Sequence, residues 1–132
     1  MPRPDRQELL AIAVGGAGGA LLRVALVRTY ASGGASWPWA TFAVNMAGAL
    51  LLGYAVTRLQ ERLPLSAYRR PLIGTGFCGA LTTFSTMQLE LLRMLDAHRY
   101  GLAAGYAAAS IALGYACVHV ASALVRKVRV IA

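Results

Sequence analysis

Residues 74–90 read GTGFCGALTTFSTMQLE, from Gly74 to Glu90. No residue in the stretch is charged before Glu90, so it is apolar enough to sit in hydrocarbon. It is also poor material for a continuous helix, because Gly74, Gly76 and Gly79 are followed by Thr82, Thr83, Ser85 and Thr86. Glycine costs a helix interior about 1 kcal/mol relative to alanine, and Ser and Thr hydroxyls compete for backbone groups. Irregular backbone at membrane depth is tolerated only where it is buried in protein or lines a water-filled cavity. The stretch therefore reads as a membrane span broken near its middle, with freed carbonyls at the break, and the break is a candidate functional site.

The absence of charge recurs on both sides. Residues 9–22, 29–57, 71–89 and 100–125 hold no Asp, Glu, Lys or Arg. Soluble helices of that length need a polar face, and these have almost none. About 20 apolar residues cross a hydrocarbon core about 30 Å thick. Four spans, at 9–28, 39–58, 71–96 and 100–126, use nearly all 132 residues. The predicted fold is an all-α membrane protein, one four-transmembrane-helix domain over residues 1–132 with a broken third helix. A hydrophobic share of 58% and a charged share of 14% argue against a soluble enzyme or a disordered tail. The start, MPRPDRQELL, is not followed by a short core with a small-residue cleavage site, and reads as the lead into a retained first span.

The net charge of +8 invites a nucleic-acid reading. Twelve of the 13 basic residues are Arg, mostly at span edges, which is membrane flanking rather than a basic face, so no nucleic-acid partner is predicted. Cys78 and Cys117 lie in apolar spans without CxxC spacing and read as small buried residues. Gly15 and Gly19 form a GxxxG in span 1, and Gly101, Gly105 and Ala109 a small-residue seam in span 4; such residues let helix backbones approach in lipid. Trp37 and Trp39 flank Pro38 after a flexible linker, residues 32–36, as interface anchors at a helix start.

The polar residues inside the spans favour an anion. Asn45 in span 2 serves either an interhelical hydrogen bond or a pathway whose amide donates to a desolvating anion, and the sequence leaves both open. Arg23 can snorkel to the nearby interface and also raise anion concentration at a pore mouth. Phe84 either packs or turns its positive ring edge to an anion. Thr83, Ser85, Thr86 and Ser110 add hydroxyl donors, with Tyr106 four residues before Ser110 on one helix face. No carboxylate sits near the middle of a span, so a cation pathway is disfavoured. Gly74, Gly76 and Gly79 imitate a dinucleotide fingerprint, but no strand precedes them. Ser and Thr have no His or carboxylate at catalytic spacing, His98 and His119 stand apart, and no enzyme is predicted.

These stretches resemble a known family. WPWATFAVNMAGALLLG (Trp37–Gly53), GTGFCGALTTFSTMQLE (Gly74–Glu90), GGAGGALLR (Gly15–Arg23) and Tyr106-x3-Ser110-x3-Gly114 are similar to the four spans of the Fluc (CrcB) fluoride channels. The resemblance covers essentially the whole chain. It implies passive export of cytoplasmic fluoride across the cell membrane (the inner membrane where there are two), through an antiparallel, dual-topology dimer with two pores beside the subunit interface. By position it implies Asn45 as the polarised amide and Phe84 as the first pore aromatic. Thr83, Thr86, Tyr106 and Ser110 would line the pathway, and Arg23 the vestibule. It also implies a structural Na⁺ at the dimer interface, held by the backbone carbonyls of Gly79 and Thr82. One departure stands out: the family's usual second Phe is Met87 here, and a thioether has no ring edge to offer.

Four spans place both termini on one side, with Arg3, Arg6, Arg58, Arg62, Arg69, Arg70, Arg126, Lys127 and Arg129, nine in all, against Arg23, Arg28, Arg93 and Arg99, four in all. The positive-inside rule favours cytoplasmic termini. A strictly dual-topology homodimer calls for a more even split, so a heterodimer with a homologous subunit of opposite orientation stands beside the homodimer. A small multidrug-type antiporter needs a carboxylate inside span 1, which has none after Glu8 at its start. A purely structural subunit explains the glycines but not Asn45 or the TTFST run.

Overall fold

A computed structural model describes residues 5–30, 36–62 and 68–131, apart from the side chains of 59–62 and 129–131. Most of the 32–36 linker, the side chains of Arg62 and Arg129, and all of Arg3 lie outside the described residues. Five elements follow in order: α1 (Arg6–Thr29), α2 (Trp39–Arg62), α3, a π-wound stretch (Pro71–Cys78) continued by a single α-turn (Gly79–Leu81), α4 (Phe84–Asp96) and α5 (Tyr100–Ile131). Among the described residues there is no strand.

Among the described residues three helices are long and apolar enough to cross a membrane: Arg6–Thr29, Trp39–Arg58 within α2, and Tyr100–Val128 within α5, at 24, 20 and 29 residues. Their outward faces carry large apolar side chains. Leu21, Ile111 and Tyr115 are each more than 70% exposed, which suits lipid and not water.

Local chemistry sets the helix ends. Asp5 caps α1, its carboxylate accepting the Gln7 N–H at 3.2 Å, with Glu8 in the first turn and Arg28 in the last to complement the helix dipole. The second Asp5 oxygen accepts the Tyr68 hydroxyl at 2.9 Å, tying the start of α1 to the approach of α3 and raising the Tyr68 pKa above its ordinary value. Pro38 directly precedes α2 and needs no N–H partner, while its carbonyl accepts the Phe42 N–H at 3.0 Å. α4 ends in a Schellman arrangement: Arg99 N–H reaches the Met94 carbonyl (2.8 Å), His98 N–H reaches Leu95 (2.9 Å), and His98 has φ 57°. A side chain in that left-handed conformation costs about 1–2 kcal/mol. His98→Gly is expected to raise the thermal midpoint in detergent by relieving that cost, less the contribution of the His98–Tyr100 contact at 3.0 Å. An unchanged or lowered midpoint contradicts this account of the turn.

The helices pack in two pairs. α1 lies along α3 at backbone contact. A Cβ on Gly15 would run into the Leu72 carbonyl, one on Gly19 into the Phe77 carbonyl, and one on Gly76 would come within 2.6 Å of the Ile12 carbonyl. Glycine on both sides lets carbonyl oxygens lie against Cα–H groups, which is how helices associate where lipid removes the hydrophobic drive. α2 pairs with α5: Gly53 meets the Val118 carbonyl, where a Cβ would sit at 2.7 Å, and the Thr57 hydroxyl donates to Ser122 Oγ at 3.0 Å. Gly101 and Gly105 have nothing within 4 Å of a Cβ position, so the span 4 seam is not packed within the chain. A small core of Met94, Ala103 and Tyr106, with Trp37, Phe42, Met87, Leu91 and Leu102 against it, closes the end where α2, α4 and α5 meet.

Candidate functional site

The site forms where the helical ladder stops between α3 and α4. Thr82 (φ −73°, ψ 148°) and Thr83 (φ −142°, ψ 112°) are extended between Leu81 and Phe84. In an unbroken helix the Thr83 N–H would bond the Gly79 carbonyl, and the Thr86 N–H the Thr82 carbonyl. Here the Thr83 N–H donates to Asn45 Oδ1 at 2.8 Å, and the Thr86 N–H to the Thr83 hydroxyl at 3.2 Å, which caps α4. The carbonyls of Gly79 and Thr82 thereby lose their ordinary helical donors. Asn45 also donates from Nδ2 to the Thr83 carbonyl at 3.2 Å. One side-chain amide on α2 thus meets both backbone polar groups of Thr83, replacing the carbonyl that its N–H gave up. One turn along α2, Gly48 leaves room for the Thr82 methyl, while the Thr82 hydroxyl turns back to the Cys78 carbonyl at 3.0 Å.

From the break a polar row runs down α4. The Thr83 hydroxyl donates to Thr86 Oγ1 at 2.9 Å, with Ser85 Oγ at 3.4 Å. One turn past Thr86 comes Glu90. Its carboxylate accepts the Thr41 hydroxyl from α2 at 2.6 Å and the Tyr106 hydroxyl from α5 at 2.8 Å. Tyr106 is fully buried, and Trp37 and Phe42 pack on it with ring centroids 5.4 and 6.4 Å away. Glu90 and Thr41 were not among the residues singled out from the sequence. The available signal was spacing: Glu90 follows Thr83 by seven residues and Thr86 by four, and Thr41 precedes Asn45 by four, each on the face of its neighbour.

The other predicted residues divide. Phe84, the first residue of α4, is 70% exposed. Met87 is half-buried and packs on the Met94–Ala103–Tyr106 core. Ser110 is half-buried one turn beyond Tyr106, and Arg23 half-buried on α1. Among the described residues no hydrogen bond joins Arg23 or Ser110 to the row. Among the described residues no group of three His, Cys, Asp or Glu is placed to hold a metal. The oxygens that fit a hard cation such as Na⁺ are the freed carbonyls, with Gly79 exposed on the surface of the chain.

Long apolar helices with lipid-suited faces, enclosing an amide, a row of hydroxyls and one hydrogen-bonded carboxylate, define a small multi-pass membrane protein with a polar site inside it. The family model described as CrcB-like protein, Camphor Resistance (CrcB), matches residues 10–122. The chain belongs to that family. It is 61% identical over 130 residues, 98% of each chain, to a protein of Mycolicibacterium paratuberculosis named fluoride-specific ion channel FluC 1. It is 57% identical over the same share to one of that name from Mycobacterium bovis. A fluoride-specific ion channel FluC of Acidobacterium capsulatum is 43% identical over 112 residues, covering 84% of this chain and 90% of the relative.

Proposed function

We propose that this chain is the subunit of a fluoride-selective channel that lets cytoplasmic fluoride leave down its gradient. The observation that carries this reading is the clamp of Asn45 on Thr83, which holds an extended backbone step inside the membrane at the head of a hydroxyl row. Fluoride is small and strongly hydrated, and stripping its water is expensive. A conducting site must offer hydrogen-bond donors without a charge that traps the ion. Asn45, Thr83, Thr86 and Ser110 offer neutral donors, and Phe84 a ring edge. Glu90 accepts hydrogen bonds from Thr41 and Tyr106, so a fluoride there competes with a carboxylate for the same hydroxyls. That competition favours release over trapping.

The working unit is a dimer of chains in opposite orientation. Phe84 is exposed at the break of a single chain, and 132 residues are too few to enclose a pore alone. In the dimer α3 and α4 together act as one broken transmembrane span. The Gly79 and Thr82 carbonyls of the two copies supply four oxygens for a Na⁺, whose role is structural. Arg23 lines the vestibule. A second reading is favoured by the nine-to-four split of basic residues and by Met87: a heterodimer in which a homologous subunit of opposite orientation supplies the missing aromatic.

The test is reconstitution in liposomes with Na⁺ present and a fluoride electrode outside. The expected result is release of fluoride with chloride retained. Flux from this chain alone supports the homodimer, and flux only with a homologous partner supports the heterodimer. No fluoride flux in either case overturns the channel reading.

A further inference from the structure

Trp37 Nε1 is a buried donor with no hydrogen-bond partner among the described residues. A buried unsatisfied donor is costly, and natural structures rarely carry one without a reason. Neighbouring acceptors do not relieve it. Tyr106 packs against it, its ring meeting Trp37 edge-on at 77° with centroids 5.4 Å apart. The Tyr106 hydroxyl donates to Glu90 Oε2 and the Thr41 hydroxyl to Oε1, so the carboxylate is engaged by those two hydroxyls and not by the indole. Phe42 and Trp39, the other rings against Trp37, offer no acceptor stronger than a π-face.

We propose that the Trp37 indole N–H is a binding station for the permeating fluoride, beside the Thr41–Glu90–Tyr106 group at the end of the hydroxyl row. The proposal rests on the channel reading. An indole is an uncharged donor only, and it keeps its proton at physiological pH. In a buried setting its N–H gains most from a compact, hard acceptor that has shed its water. The Glu90 carboxylate repels an anion held there, so residence is short, as conduction requires. Two T-shaped ring contacts, with Phe42 at 73° and Tyr106 at 77°, fix the indole plane, so the donor is held in place before the ion arrives.

The chain has two tryptophans, which makes the test direct. The full-length protein with ¹⁵N-labelled indoles is titrated in detergent with NaF and, separately, NaCl, and Trp39→Phe assigns the two resonances. The Trp37 resonance is expected to shift saturably with fluoride and to stay in place with chloride. In liposomes Trp37→Phe, which keeps a ring and removes the donor, is expected to lower fluoride flux roughly tenfold, since hydrogen bonds to charged groups contribute about 1.5–3 kcal/mol. A Trp37 resonance unmoved by fluoride, or moved equally by chloride, while the unaltered protein conducts, overturns the proposal and leaves the channel reading standing. So does a folded Trp37→Phe variant with unchanged flux. A saturable fluoride shift in a protein that conducts nothing upholds the site and overturns the channel.

Discussion

Asn45→Ala is expected to cut fluoride flux by about two orders of magnitude, because it removes the acceptor of the Thr83 N–H and a donor to the Thr83 carbonyl at once. Each unsatisfied backbone group in hydrocarbon costs several kcal/mol, so the Thr83 N–H cannot stay unpaired. The low-cost relief is for Thr83 N–H to return to the Gly79 carbonyl, which closes the gap between α3 and α4. That withdraws Gly79 as a free oxygen and turns the Thr83 and Thr86 hydroxyls to new directions. Asn45→Asp separates the two halves of the clamp. It keeps an oxygen for the Thr83 N–H but sets a second oxygen against the Thr83 carbonyl, and adds a charge that repels fluoride. It is expected to be as damaging as alanine. Both variants are expected to elute with the unaltered protein on size exclusion, because the α1–α3 and α2–α5 contacts do not involve Asn45. Flux within twofold of the unaltered protein in Asn45→Ala would sink the clamp as the organising element of the site.

What is legible in the sequence is what contiguous residues encode locally. The four uncharged runs and the glycine and hydroxyl content of residues 74–90 are properties of contiguous residues, so they speak to membrane depth and irregular winding directly. Gly15 and Gly19 signal close approach by their spacing alone, although nothing in that spacing names the carbonyls of Leu72 and Phe77 as what they meet. Asn45 stands out as polar in an apolar span, but its partner lies 38 residues away, and only the packing of α2 on the break shows that the amide serves the Thr83 backbone. Glu90 is not legible as a site residue, because a charge that ends an uncharged run reads as a boundary. Its meaning depends on Thr41 and Tyr106, which arrive from two other helices. The π-winding of Pro71–Cys78 is a matter of which carbonyl each N–H reaches, and Gly79 N–H reaches Gly74, five back. A hydrophobic pattern with few polar residues contains no record of that choice.

The second large effect is expected where α1 and α3 touch. Gly15→Leu is expected to yield no monodisperse protein in detergent and no fluoride flux. The reason lies in what the added atoms meet. A Cβ at Gly15 collides with the Leu72 carbonyl oxygen and lies 3.0 Å from both the Leu72 carbonyl carbon and the Phe77 nitrogen. These are backbone atoms, so no flexible side chain can move aside, and the helices must separate. Overpacking a tight contact typically costs about 1–3 kcal/mol even when side chains can adjust. Separation here also undoes the contacts at Gly19 and Gly76 on the same seam, because a rigid helix cannot open at one turn alone. The π-wound stretch would lose the wall it is built against, and with it the anchor that places the Thr82–Thr83 step. Gly101→Ala is the matched control, since nothing lies within 4 Å of its Cβ position and alanine is the better helix former by about 1 kcal/mol. It is expected to fold and conduct as the unaltered protein does. A Gly15→Leu protein that elutes and conducts normally would mean that α1 does not hold α3 at backbone contact, and the break would then need another support.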